Sequence, residues 1–204
     1  MTMQHDFILL DRSGSMQTLW TEAVNSVNEY VKKLAADNVD TGVTIAAFDA
    51  NIGTLDFLVL RDRIIPKTMK PIDPNEAAPR GGTPLNDATM KLVGMAEAGN
   101  YDKVAIIIMT DGHENASRET NIAAVRAKLD ACRARGWQVI FLGANFDNAR
   151  QATIYGTQSG QTIQTSAVNF AGTMRATASK RADYGLTGQA MSYSADEKEE
   201  FKKQ

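Results

Sequence analysis

The chain has 204 residues, 43% of them hydrophobic and 23% charged, with 22 Lys and Arg against 24 Asp and Glu for a formal net charge of -2. That length suits one large domain or one domain with a tail, and the apolar share excludes wholesale disorder. The lack of a basic excess argues against nucleic-acid binding, no window offers the roughly 20 apolar residues of a membrane span, and the single Cys132 cannot form an internal disulfide.

The first strand is read at Phe7 to Leu10, an apolar run too short for a signal-peptide core, so a cytoplasmic protein is expected. Met16, Leu19, Trp20, Ala23, Val24, Val27, Tyr30, Val31 and Leu34 then recur at helical spacing and predict one long amphipathic helix. Val43 to Phe48 and Leu55 to Leu60 flank a turn around Asn51 and Gly53, which predicts an antiparallel hairpin at a sheet edge. All five prolines, Pro66, Pro71, Pro74, Pro79 and Pro84, follow in one stretch, so residues 66–83 are expected to form a long functional loop. Thr83 and Pro84 read as the N-cap and first-turn proline of a helix that keeps its apolar spacing from Leu85 to Ala96 and stops at Gly99.

The run Val104 to Met109 predicts a central parallel strand buried on both faces, with Lys103 leading in. A helix carrying Ile122, Val125, Leu129 and Cys132, a strand at Gln138 to Leu142 and a short helix starting near Phe146 come next. Gly156 and Gly160 frame a turn before a strand at Thr162 to Thr165, and Ala167 to Ala178 suggests a last packed helix. Composition divides the chain into a domain at 1–185 and a polar tail at 186–204, in which Ser194 and Glu197 suggest a short capped helix or disorder. The alternation predicts an α/β fold: an open, mainly parallel sheet with one antiparallel edge strand and helices on both faces.

Polar segments stand where the strands run out: Asp11-Arg12-Ser13-Gly14-Ser15, Gly81-Gly82-Thr83 and Thr110-Asp111-Gly112. Ligands of open parallel sheets bind beyond the carboxyl ends of the strands, so Asp11 and Asp111 are expected to be neighbours. Two adjacent carboxylates repel unless a cation sits between them. The hydroxyls of Ser13, Ser15 and Thr83 add neutral hard oxygens, a set suited to Mg²⁺ or Mn²⁺ better than to Ca²⁺. With two formal negative charges facing it, such an ion stays electrophilic, and an open coordination position would attract a partner's carboxylate.

Asp11, Ser13 and Ser15 as Asp-x-Ser-x-Ser, Thr83 in Gly81-Gly82-Thr83-Pro84-Leu85, and Asp111 in Thr110-Asp111-Gly112 resemble the complete metal-ion-dependent adhesion site of von Willebrand factor type A domains. The resemblance covers roughly residues 5–180 and implies a Rossmann-like domain that binds Mg²⁺. Ser13, Ser15 and Thr83 would contact the ion directly or through water, and Asp11 and Asp111 directly or one shell out. It also implies a non-enzymatic module whose protein partner offers an Asp or Glu to the ion. Asp111-Gly112-His113-Glu114-Asn115, with Phe141-Leu142-Gly143-Ala144-Asn145, is most similar to small stand-alone bacterial or phage members.

Each of Ser13, Ser15 and Thr83 taken alone reads as a helix cap, and only their combination with two strand-end aspartates points to a metal. Asp49, Gly82, His113 and Glu114 are expected to form a partner-facing rim, although His113 and the two acids also read as ordinary exposed loop residues. Cys132, Trp20 and Trp137 read as core. A metal-dependent phosphohydrolase is the competing enzyme class, but it needs a carboxylate two residues after the nucleophilic Asp, where this chain has Ser13. The third reading is a structural scaffold with a dispensable metal site.

Overall fold

The computed structural model describes residues 3–143, 154–157 and 159–203. Six strands are found among them: β1 (Gln4–Asp11), β2 (Gly42–Asn51), β3 (Thr54–Ile64), β4 (Lys103–Met109), β5 (Gln138–Gly143) and β6 (Thr162–Gln164). They lie in one sheet in the order β3-β2-β1-β4-β5-β6, parallel throughout except for the antiparallel edge strand β3. The α/β sheet expected from the alternating runs is therefore present, with its antiparallel hairpin at one edge.

The strand side chains alternate between two cores because successive Cβ atoms point to opposite faces. Ile8, Leu10, Ala105, Ile107 and Met109 face α1 (Trp20–Ala36) and α4 (Phe170–Thr187), which pack against each other. Phe7, Leu9, Val104, Ile106 and Ile108 face α2 (Leu85–Ala98) and α3 (Ile122–Ala134), where Cys132 and Trp137 are also buried. Burial of both faces is what the unbroken apolar run at Val104 to Met109 demands.

Several local expectations change in the structure. The long first helix is broken: Gly14–Thr18 winds as a tight 3₁₀ turn, and α1 starts only at Trp20. The hairpin turn expected around Asn51 and Gly53 is present, with Ile52 and Gly53 as its central residues, both at positive φ (51° and 75°), and Asn51 paired to Thr54. Thr83 makes no capping bond and Pro84 holds the cap position itself, with ψ 59°, because the first amides of α2 are satisfied by a different loop, as described below.

The proline-punctuated loop is not a free loop over the site. Asn28 on α1 holds it with a pair of 2.9 Å bonds to the N–H and C=O of Ile72, Trp20 Nε1 donates to Pro74 O at 2.8 Å, and Ile72 and Ala77 are buried in the α1 core. Only its last residues, Arg80 to Thr83, reach the strand ends where the candidate ligands gather.

Residues 186–204, set apart by composition, carry a capping box on Ser194 and Glu197 that opens α5 (Ala195–Lys202). Met191 and Tyr193 are buried, with Met191 N donating to Gln138 Oε1 at 2.9 Å and Tyr193 OH to Thr177 Oγ1 at 2.7 Å. The helix expected near Phe146 lies outside the described residues, as do Ala144 and Asn145. Among the described residues no helix is long and apolar enough to cross a membrane.

Candidate metal centre

β1 and β4 are adjacent, and the chain leaves them in opposite directions across the sheet, toward β2 from one and β5 from the other. This divergence opens a crevice at the carboxyl ends of the two strands. Asp11 and Thr110-Asp111 stand on either side of it.

Asp11 is buried, its Oδ1 accepting the Ser13 amide at 2.7 Å and its Oδ2 accepting Thr110 Oγ1 at 2.6 Å. Ser13 Oγ and Ser15 Oγ are 3.1 Å apart, and Ser15 Oγ donates to Asp111 Oδ1 at 2.8 Å. Thr83 enters from the third segment. A methyl placed on Gly112 would lie 3.1 Å from Thr83 Oγ1, 3.6 Å from Ser15 Oγ and 3.7 Å from Asp11 Oδ2, so these oxygens converge on one small cradle that the missing side chain leaves open. The structure thus brings Asp11, Ser13, Ser15, Thr83 and Asp111 together. Ser13 and Thr83 are buried, Asp111 is half-buried and Ser15 is exposed, which leaves the cluster one solvent-facing side.

Burial pushes the Asp11 carboxyl up from 3.8 to about 6, against the pull of the Thr110 and Ser13 hydrogen bonds and with a smaller push from Asp111. Burial raises the Asp111 carboxyl as well, with Ser15 opposing. Two acids that ionise reluctantly beside three hydroxyls are a set that a hard divalent cation would relieve. On donor chemistry and space alike, the cluster fits such an ion.

Backbone bonds hold the three segments in register. Gly14 N donates to Gly81 O at 3.1 Å, Arg80 N to Arg12 O at 2.8 Å, and Ala50 N to Gly82 O at 3.0 Å. Gly81 takes a φ of 63°, and a Cβ there would collide with Ala50 O, so glycine is required on both counts.

The expected rim is largely rearranged. Asp49 is fully buried and is not on the rim: it accepts from Arg12 Nη2 at 2.9 Å and Arg80 Nε at 2.7 Å, and both guanidinium groups also reach Asp56. Glu114 is likewise a structural acid. Its carboxylate accepts the amides of Asn86 (2.8 Å), Ala116 (2.9 Å) and Ser117 (2.7 Å), capping α2 from outside and folding its own loop. Asp87 returns the bond by accepting the amides of Arg118 (2.8 Å) and Thr120 (2.7 Å). Gly82 is half-buried beneath Asn115 and Ala116, while His113 is exposed two residues from Asp111.

Sequence reasoning missed Thr110, which steadies Asp11, and Asn115, whose Oδ1 accepts the Thr83 amide at 2.8 Å while its own N–H donates to Thr83 O at 3.1 Å. Both flank Asp111 closely enough to have been suspected. Arg12 and Arg80 carried no such signal, since their partner Asp49 is 37 and 31 residues away.

The family model of the von Willebrand factor type A domain matches residues 7–180. The chain belongs to this family. The type A domain is similar in fold to proximal thread matrix protein 1 of the mussel byssus, at TM-score 0.54 and 18% identity over 85% of this chain and 46% of that one. It is also similar to the vWF domain of the type V pili tip protein Mfa5 from Porphyromonas gingivalis, at TM-score 0.64 and 11% identity over 96% and 99% of the two chains. Manganese-loaded TRAP protein of Plasmodium vivax gives TM-score 0.59 and 14% identity over 83% and 71%. The chain spans about half the length of the mussel structure, and no curated protein sequence matches it.

Proposed function

We propose that this type A domain is a Mg²⁺-dependent protein-binding module, in which Asp11, Ser13, Ser15, Thr83 and Asp111 hold the cation and an acidic side chain of a partner protein completes its shell. The convergence of Thr83, Ser15 and Asp11 oxygens on the space above Gly112 carries this reading. A bound cation supplies an electrophilic centre for a carboxylate. Asp11 and Asp111 neutralise it, the three hydroxyls orient it, and the solvent-facing side at Ser15 leaves room for the partner. The manganese-loaded TRAP structure supports a divalent ion in this fold, with Mn²⁺ as an alternative and Ca²⁺ less suited to so few carboxylates.

The domain is read as non-enzymatic, because position 13 offers a hydroxyl bonded to Ser15 where a phosphohydrolase would need an acid. The proposal keeps it in the cytoplasm, with Cys132 a free buried thiol, and among the small stand-alone bacterial or phage members of the family.

A thermal melt of metal-stripped protein tests the site, since a ligand of the native state raises the midpoint by mass action. At a Mg²⁺ concentration 100 times Kd the gain is about 2.7 kcal/mol, or roughly 5–10 °C for a domain of this size. The shift is expected in wild type and absent in Asp111→Ala. No shift with Mg²⁺, Mn²⁺ or Ca²⁺ would return the five residues to the role of loop-folding polar groups.

A further inference from the structure

The β2–β3 turn leaves the metal-site rim through the Ala50–Gly82 bridge, one residue from Thr83. Ile52, two residues beyond that bridge and so within about 7 Å of it along the chain, is 96% exposed and adopts φ 51°. A two-residue turn with both central φ angles positive favours Asn or Asp followed by Gly. A β-branched side chain in the left-handed region is an outlier that persists at functional positions. Here the strain is offset by no packing, because the side chain stands almost wholly in solvent.

A positive charge stands next to it. The Arg118 guanidinium lies directly on Gly53, where any Cβ would collide with it, and the Arg118 amide is fixed by Asp87 Oδ2 at 2.8 Å. An apolar knob and an exposed guanidinium, carried on a backbone fixed by Asp87, therefore stand side by side at this turn.

We infer that Ile52 and Arg118 form a second docking patch for the same partner: a protein loop that places one carboxylate at the metal, an apolar side chain on Ile52 and a second carboxylate on Arg118. The opposite charge of that second carboxylate matches the exposed guanidinium, and the patch is continuous with the metal rim. The inference rests on the metal-dependent reading above and specifies its partner.

The test uses the full chain and a phage-displayed library of disulfide-closed loops with one fixed Glu, panned in Mg²⁺. Enriched loops are expected to share an apolar residue and a second acid at fixed spacings from that Glu. Their synthetic peptides are expected to lose at least tenfold in affinity for Ile52→Asn and severalfold for Arg118→Ser, and to lose binding in EDTA. Leu186→Asn is the control, an equally bare apolar residue, 85% exposed, beside Gly185, whose carbonyl meets Lys103 at the far end of β4; it should change affinity less than twofold. Because Asn suits the turn, Ile52→Asn should melt at or above the wild-type temperature, and a lower midpoint would overturn the inference by giving the side chain a folding role. Peptides that need Mg²⁺ yet ignore Ile52→Asn and Arg118→Ser would overturn it while sparing the metal reading. Binding that survives EDTA but falls with Ile52→Asn would overturn the metal reading and, with it, the inference of one partner shared between the metal and the patch. A library that yields no enriched loop would overturn the patch, and the Mg²⁺ melt of the same protein decides the metal reading separately.

Discussion

Two glycines at the site have opposite duties. Gly81 is required by the backbone, with a φ of 63° and Ala50 O in the path of any Cβ. Gly112 has no such constraint; its missing side chain leaves free the space that Thr83, Ser15 and Asp11 surround. Gly112→Ala is therefore expected to leave the metal-free melting midpoint within about 2 °C of wild type, an effect under roughly 1 kcal/mol, while abolishing the upward shift on adding Mg²⁺. Titrating Mg²⁺ against both proteins by calorimetry checks it, and wild-type affinity in the variant would mean that the oxygens converge for another reason. The sequence shows the five ligand-type residues plainly, because each sits beside a glycine or a strand end. It does not show which neighbouring acids stay in solvent. Asp49 and Glu114 look alike as loop acids, and only folding reveals that one meets Arg12 and Arg80 and the other three amides.

At the scale of elements, α2 and the 113–120 loop are folded by exchange. Glu114 reaches down to the Asn86 amide and Asp87 reaches back to the amides of Arg118 and Thr120, so the helix start and the loop that bears Asp111 form one unit. A carboxylate at a helix N-terminus gains both hydrogen bonds and the favourable end of the helix dipole. Glu114→Gln keeps the shape but offers one acceptor oxygen and no charge. It is expected to destabilise the domain by about 1–2 kcal/mol, a drop of roughly 2–8 °C in Tm, and to weaken Mg²⁺ binding because Thr83 and Gly112 lie on the two halves of the clasp. A Glu114→Gln protein with unchanged Tm would show that the loop is held elsewhere. The elements themselves were legible wherever a run was long: β4 from its six apolar residues, and α1 from its repeating stripe. Thr83-Pro84 misled because local cap chemistry is outweighed when a half-buried acid 31 residues downstream, Glu114, supplies the cap. The proline stretch misled similarly, since prolines mark irregular backbone but say nothing of the Asn28 and Trp20 side chains that pin it.

Across the whole molecule the two ends of the sheet are set to different tasks. The carboxyl ends gather the candidate oxygen ligands and leave one side open. The opposite end is closed by a fully buried ion pair between Arg181 of α4 and Asp6 of β1, with Tyr30 OH donating to Asp6 at 2.8 Å and Arg181 also reaching Gln4 and Thr41. A pair at 0% exposure is tolerated because these further bonds satisfy the remaining donors and acceptors. Beside it His5 is buried, bonded to Thr44 Oγ1 at 2.9 Å and stacked on Tyr101 with ring centres 4.5 Å apart. Burial depresses the His5 pKa from 6.5 to about 4, despite the pull of Asp6 and Asp62 toward the charged form. The native state thus holds His5 neutral while the unfolded chain takes a proton below about pH 6.5. The contribution of His5 is complete above that value and is lost as pH falls from about 6.5 toward 4, at most about 3 kcal/mol in all. Asp11, raised to about 6, pulls the other way over much of the same window, so wild-type stability alone would hide the effect. The informative quantity is the difference between wild type and His5→Gln in denaturant unfolding without metal. That gap should be widest at pH 7.5 and should narrow steadily toward pH 4.5, whereas a constant gap would mean that His5 is protonated as readily in the folded protein as in the unfolded chain.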